Sequence, residues 1–282
     1  MTRPQLYDSP AARQRAYRAR KRNATGANVT LALRHDLGAV RLYHGDARQL
    51  DALAGGSVHM VCTSPTYWNA REYAAWPTYA AYLADMGQAW RECYRVLCDG
   101  GRIAVNVPDG YGRPSTGGYL SIGPDTQAAL EAAGFILRGR IIWDKRPAGL
   151  GTAWGSWLSP SDPSIRDCYE IIIVGHKGQA KRPGPATVDR DTFLSATASI
   201  WSVPPARKGW HPAPYPAELP RRLIETYTYP GDTILDPFAG SCTTVYTAAR
   251  LGRLGLGVDL CAEYLDRAAA EAGAELARAA GG

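Results

Sequence analysis

Apolar and polar positions switch between two periods along this chain, and the switches mark out its elements. Residues 39–44 (Ala-Val-Arg-Leu-Tyr-His) alternate with period two and read as a strand. Val58-His59-Met60-Val61-Cys62 is mostly apolar, too short for a helix and halted by Ser64-Pro65, so it reads as a buried strand that stops abruptly. From 79 to 97 the period lengthens: Tyr82, Leu83, Met86, Trp90, Tyr94 and Leu97 recur at helical spacing, a packing stripe that Asp99-Gly100-Gly101 is expected to end. Residues 102–107 then read as a buried strand ending near Pro108-Asp109, 127–133 as a helix stopped by Gly134, and 135–143 and 169–174 as further strands. An amphipathic helix is expected over 221–228, and residues 231–244 read as strand, tight turn and helix start. Leu256-Gly257-Val258-Asp259 reads as the next strand, ending in a carboxylate. Helix and strand keep alternating, which predicts an α/β fold: a doubly wound, mostly parallel sheet with both faces covered.

Four of these strands end in candidate chemistry. The strand at 58–62 delivers Thr63-Ser64-Pro65-Thr66-Tyr67-Trp68 to the sheet edge where α/β proteins keep their sites. Pro65 fixes its own φ and pushes Ser64 toward an extended conformation. A hydroxyl, a backbone carbonyl and two aromatic faces are thereby held in one small volume, suited to a flat, polar, aromatic ligand. Downstream, Asp236 to Thr244 joins a strand to a helix, and Asp259 follows at the end of the next strand. That order of strand, loop, helix, strand and acid suits a nucleoside cofactor. Asp46 closes the strand at 39–44; it can accept a hydrogen bond from a ligand amine, or equally cap a helix beginning at Ala47.

Ser64-Pro65-Thr66-Tyr67 resembles the (Asp/Asn/Ser)-Pro-Pro-(Tyr/Phe/Trp) motif of DNA amino-methyltransferases, which methylate the exocyclic nitrogen of cytosine or adenine; Thr66 stands where the family usually has its second proline. Residues 236–244 resemble the family's Asp-Pro-Phe-x-Gly-Ser-Gly-Thr-Thr cofactor motif, with Cys242 in place of the usual glycine. His211-Pro212-Ala213-Pro214-Tyr215-Pro216 resembles its His-Pro-x-x-(Tyr/Phe)-Pro element, and the matched motifs with their flanks span residues 40–260. The catalytic motif precedes the cofactor motif, the permuted order of the family's β group, which implies a Rossmann-like methyltransferase fold. The resemblance implies S-adenosylmethionine as cofactor, and Gly-x-Gly-x-x-Gly is absent. Asp46 would approach its adenine and Asp259 its ribose hydroxyls. Asp236, Phe238, Gly240, Ser241 and Thr243 would form the turn and helix start beneath it, with His211 and Pro212 at its methionine end.

The same resemblance casts Ser64 Oγ and the Pro65 carbonyl as acceptors for the target amine, with Tyr67 or Trp68 stacked on a flipped base. Serine at the first motif position is more typical of the cytosine group, so N4-methylcytosine is the expected product and N6-methyladenine the alternative. A third reading, to which Thr66 and Cys242 point, is a DNA-binding module on an inactive methyltransferase fold. No Pro-Cys dipeptide occurs, which argues against the covalent cysteine mechanism of cytosine C5 methylation.

Composition refines this picture. With 282 residues and 45% hydrophobic content the chain can bury a full core, and one domain over 31–282 is expected. The net charge of +6 sits entirely in residues 1–30, where Arg3, Arg13, Arg15, Arg18, Arg20, Lys21 and Arg22 stand against Asp8. A helix over 11–23 would put Arg15, Arg18 and Arg22 on one face, suited to a phosphate backbone; the alternative is a solvated arm. Between 145 and 202 glycine, proline, Trp154, Trp157, Lys181 and Arg182 make irregular basic and aromatic loops. The resemblance implies that they hold the target-recognition region on double-stranded DNA; an ordinary surface insertion is the other reading. A cognate restriction endonuclease as partner stays open, as do monomer and homodimer. The six cysteines and five histidines show no ligand spacing, and no apolar run is long enough for a membrane span, so a metal-free protein of the reducing cytoplasm is expected.

Overall fold

A computed structural model describes residues 29–68, 76–113, 118–146, 156, 158–163, 165–207, 209–211 and 213–280. Along them run β1 (Ala32–Asp36), β2 (Val40–His44), β3 (Val58–Thr63), α1 (Tyr79–Val96), β4 (Leu97–Val107), β5 (Tyr111–Arg113), β6 (Gly118–Leu120), α2 (Ile122–Ala132) and β7 (Ile136–Asp144). After these come β8 (Tyr169–His176), α3 (Arg190–Ala196), β9 (Ile200–Ser202), α4 (Glu218–Tyr227), β10 (Thr233–Asp236), α5 (Thr243–Arg250), β11 (Leu254–Asp259) and α6 (Ala262–Ala280). One nine-stranded sheet has the order β1-β2-β11-β10-β3-β4-β8-β7-β9, and β5 and β6 form a separate hairpin. Strands β2, β11, β10, β3 and β4 are parallel, β8 runs against both its neighbours, and β1 runs against β2.

The mostly apolar strands are those covered on both faces. Along β3 and β8 successive side chains divide by the period of two: Val61, Ile171 and Ile173 join the core beneath α1 and α2, while Met60, Cys62, Ile172 and Val174 join the core beneath α4. Trp90 of α1 and Trp201 of β9 are the bulkiest fully buried side chains, one in each core. A third cluster joins β2 to α5 and α6 through Leu42, Val245 and Leu265. Helix α1 starts where Thr78 Oγ1 accepts from Ala81 N at 3.1 Å, which satisfies one of the first-turn amides.

Several expectations change at element ends. Asp99-Gly100-Gly101 does not separate helix from strand: α1 already ends at Val96, and β4 runs through the glycines. Gly100, at φ +73°, lets the strand bulge, so that Val58 faces Leu97 but Met60 faces Arg102. Helix α2 begins at Ile122, ahead of the expected residue 127, and no helix follows Asp46, only turns. The direction of β8 has the largest consequence. Because β8 starts beside Val107 and ends beside Arg102, residues 177–188 leave the sheet at the end opposite the carboxyl ends of the parallel strands.

Candidate active site

The carboxyl ends of β2, β11, β10, β3 and β4 enclose a cavity of about 470 Å³, within the roughly 300–1,000 Å³ usual for small-ligand sites. Its two sides are built differently. On one side, Asp259 at the end of β11 accepts backbone N–H bonds from Gly240 (2.9 Å, Oδ2) and Cys261 (2.7 Å, Oδ1), tying together the loops that follow β10 and β11. Gly240 lies at φ +49°, a conformation that favours glycine, and a Cβ there would meet His211 Nε2 at 2.7 Å and have to displace that ring. Phe238 lines the same side and meets Trp90 edge-on at 5.9 Å; His211 packs its ring against Tyr264 at 4.9 Å.

On the other side, Ser64, Pro65, Thr66 and Tyr67 leave β3 and meet side chains from three more strands. Tyr67 Oη lies 2.9 Å from Ser64 Oγ and donates to Glu170 Oε2 at 2.9 Å, while Asn106 Nδ2 donates to Tyr67 Oη at 3.1 Å. Lys145 Nζ donates to Glu170 Oε1 at 3.0 Å. Burial, then the charge of Glu170, pushes the Tyr67 phenol well above its ordinary range, so it stays protonated.

Asp236 sits where the two sides meet, accepting from Thr63 Oγ1 at 2.6 Å and from Phe238 N at 3.1 Å. It is 2% exposed. Burial pushes its carboxyl up to about 6 against the pull of the hydrogen bonds from Thr63, Thr244 and Phe238. Tyr215 lines the cavity and hydrogen-bonds Thr244 Oγ1, and burial pushes its phenol up as well.

A family model described as DNA methylase, for N6/N4 methyltransferases, matches residues 58–271. The chain belongs to this DNA methylase family. Over 250 residues the methylase is 30% identical to the type II beta methyltransferase M.BslI of Bacillus sp. (strain NEB-606); the match takes in 81% of this chain and spans 27% of that relative's length. It is 28% identical to the type II methyltransferase M.MjaI of Methanocaldococcus jannaschii, over 78% of this chain and 86% of the relative. TTHA0409, a putative DNA modification methylase from Thermus thermophilus solved with S-adenosyl-L-methionine, superposes with a TM-score of 0.64 at 32% identity, covering 80% of this chain and 90% of that one.

The backbone-built side of the cavity fits S-adenosylmethionine: a carboxylate at a strand end, a glycine turn at positive φ, and the apolar wall of Phe238. Asp46 lines the cavity, but its carboxylate also closes a turn by accepting from Arg48 N at 2.8 Å and pairs with the Arg48 guanidinium, which a second carboxylate, Asp85, grips at 2.9 Å. Of the expected cofactor residues, Phe238 and Gly240 at the turn, His211 and Asp259 line the cavity. Asp236 lies behind it, and Ser241 and Thr243 pair with each other at 3.2 Å beside it. Cys242, at φ +60°, is fully buried among Leu42, Val245 and Leu265, so its side chain fills the core and stays out of the ligand's way.

The expected substrate residues divide more sharply. Tyr67 lines the cavity, whereas Trp68 packs against Tyr79 and Tyr82 of α1 with ring centroids 5.8 and 6.2 Å away, because the start of that helix offers two aromatic rings beside it. Arg182 makes a bidentate pair with Asp232 at 2.8 Å, next to exposed Lys181, and both stand at the far end of the sheet, where the direction of β8 carries them. Pro212, Trp154, Trp157 and the arm with Arg15, Arg18 and Arg22 lie outside the described residues. Asn106, Lys145 and Glu170 were not expected at the site. Each is a polar residue within or flanking an apolar strand, the one local signal that could have singled it out.

Among the described residues no helix is long and apolar enough to cross a membrane.

Proposed function

We propose that this methylase transfers the methyl group of S-adenosylmethionine to the exocyclic N4 of a cytosine flipped out of double-stranded DNA. The observation that carries the reading is a single cavity shared by Ser64-Pro65-Thr66-Tyr67 and by Asp259, Gly240 and His211. Bound S-adenosylmethionine supplies an electrophilic methyl group on a sulfonium centre. An exocyclic amine is a poor nucleophile because its lone pair is delocalised into the ring. Ser64 Oγ and the Pro65 carbonyl each accept one amine hydrogen, so the nitrogen pyramidalises and its lone pair is freed. Positioning and electrostatics then supply the rate. Tyr67 forms the aromatic wall for the flipped base, which inside a duplex could not reach the cavity. The basic arm over residues 1–30 contacts phosphates; removing residues 1–24 is expected to flatten the salt dependence of DNA binding by about 0.9 log units per lost contact, and an unchanged slope would make it a solvated arm.

Serine at position 64 favours cytosine; N6-adenine is the second reading within the same mechanism. The test is mass spectrometry of nucleosides from DNA incubated with the protein and S-adenosylmethionine. N4-methylcytosine is expected. N6-methyladenine alone would reverse the base assignment, and DNA binding without cofactor uptake would favour an inactive binding module.

A further inference from the structure

The hydrogen bonds around Tyr67 form a relay whose proton directions can be counted. Its oxygen touches Ser64 Oγ, Glu170 Oε2 and Asn106 Nδ2, and the other oxygen of Glu170 is held by Lys145. A carboxylate only accepts, an amide nitrogen only donates, and a phenol has one proton. Glu170 therefore takes the Tyr67 proton, while Asn106 Nδ2 donates to Tyr67 Oη and also lies within reach of Glu170 Oε2. One arrangement is left for the remaining contact: the Ser64 hydroxyl donates to Tyr67 Oη. With its proton so committed, Ser64 Oγ can offer the cavity only lone pairs.

We propose that Glu170 is a positioning residue that sets the direction of this relay, so that Ser64 meets the target amine as an acceptor and never as a donor. The inference rests on the reading that Ser64 accepts from that amine. Glu170 and Lys145 are mostly buried, with side chains 14% and 20% exposed, so the relay is shielded from competing water. A glutamine at 170 is nearly isosteric but reverses the logic. Its amide oxygen stays on Lys145 and its N–H turns toward Tyr67 Oη. The Tyr67 proton is then displaced onto Ser64 Oγ, and the Ser64 proton must point elsewhere, donor against donor at the amine.

The test compares Glu170→Gln, Glu170→Asp, Tyr67→Phe and the Glu170→Gln/Tyr67→Phe double variant by methyl-transfer kinetics, cofactor calorimetry and thermal melting. Glu170→Gln is expected to lower kcat roughly 10- to 100-fold, the size of a lost charge-assisted hydrogen bond, with KM for DNA and cofactor affinity unchanged; melting should fall, because the glutamine N–H also meets Asn106 Nδ2 donor to donor and the Lys145 pair loses its charge. In the Tyr67→Phe background the same change should cost nothing further, because the relay is already cut. Glu170→Asp, still acceptor-only, should lose less than Glu170→Gln despite its larger change of shape. Equal losses from Glu170→Gln in both backgrounds, or a worse Glu170→Asp, would mean that Glu170 acts by packing and would overturn the relay. Full activity of Glu170→Gln beside an inactive Ser64→Ala would overturn it too, leaving the role of Ser64 standing. Full activity of Ser64→Ala would instead remove the reading beneath both.

Discussion

The two sides of the cavity are built by opposite means. The cofactor side is made by backbone: Gly240 and Cys261 present amides to Asp259 from two adjacent loops within one strand-helix-strand unit. The target side is made by side chains: Ser64, Tyr67, Asn106, Lys145 and Glu170 arrive from four strands and bond mainly to one another. Backbone sites tolerate most substitutions that keep the turn, since the groups that bind are common to all residues. Side-chain networks do not, because losing one member leaves buried partners unsatisfied. The target side should therefore fail by losing chemistry and the cofactor side by losing affinity.

The largest effect should come from Ser64→Ala. It removes the acceptor proposed for the amine and nothing that the cofactor side uses, so methyl transfer is expected to fall roughly 10²- to 10³-fold. Calorimetry should find cofactor affinity at the wild-type value. Weaker cofactor binding by this variant would show that the two sides are not separable.

The seam between them makes a prediction about pH. Asp236 has its carboxyl pushed up to about 6 from an ordinary value of 3.8, so between those values the folded state holds a proton that the unfolded chain has lost. Its contribution is fully present below about pH 4 and is lost as pH rises through about 6, on the order of 3 kcal/mol in all. Denaturant unfolding from pH 4 to 6.5 should show wild type losing about 2 kcal/mol of this relative to Asp236→Asn. Parallel curves would mean that Asp236 does not titrate in this window.

On the cofactor side, Asp259→Ala removes the carboxylate from two backbone amides and from the ribose it is proposed to hold. A cost of about 1.5–3 kcal/mol corresponds to roughly a 10- to 100-fold loss of cofactor affinity, while kcat at saturating cofactor should change little. An unaltered dissociation constant would place the cofactor elsewhere. The smallest effect is reserved for Cys242→Ala, where a buried thiol is traded for a methyl: about 1 kcal/mol of stability, with activity and cofactor affinity retained. Lost cofactor binding there would contradict the placement of this side chain in the core.

The difference between the two sides also explains what could be read before the fold was known. By itself the sequence determined the α/β class, most core strands, the Ser64-Pro65 strand end and the run from Asp236 to Asp259, because each is contiguous and its turns leave a local mark in proline, glycine and acid. It did not determine strand direction. The apolar run of β8 reads the same either way, yet its antiparallel course puts Glu170 in the cavity and sends Lys181 and Arg182 to the opposite end of the sheet. Nor could local pattern assign Trp68 to the α1 tyrosines instead of the ligand, since that depends on which rings lie within about 6 Å once α1 has packed. The acceptor role proposed for Ser64 rests on four consecutive residues. The relay proposed to enforce it could not be read from them, because Asn106, Lys145 and Glu170 become neighbours only through the strand order β3-β4-β8-β7, and hydrogen-bond direction is a property of the assembled network.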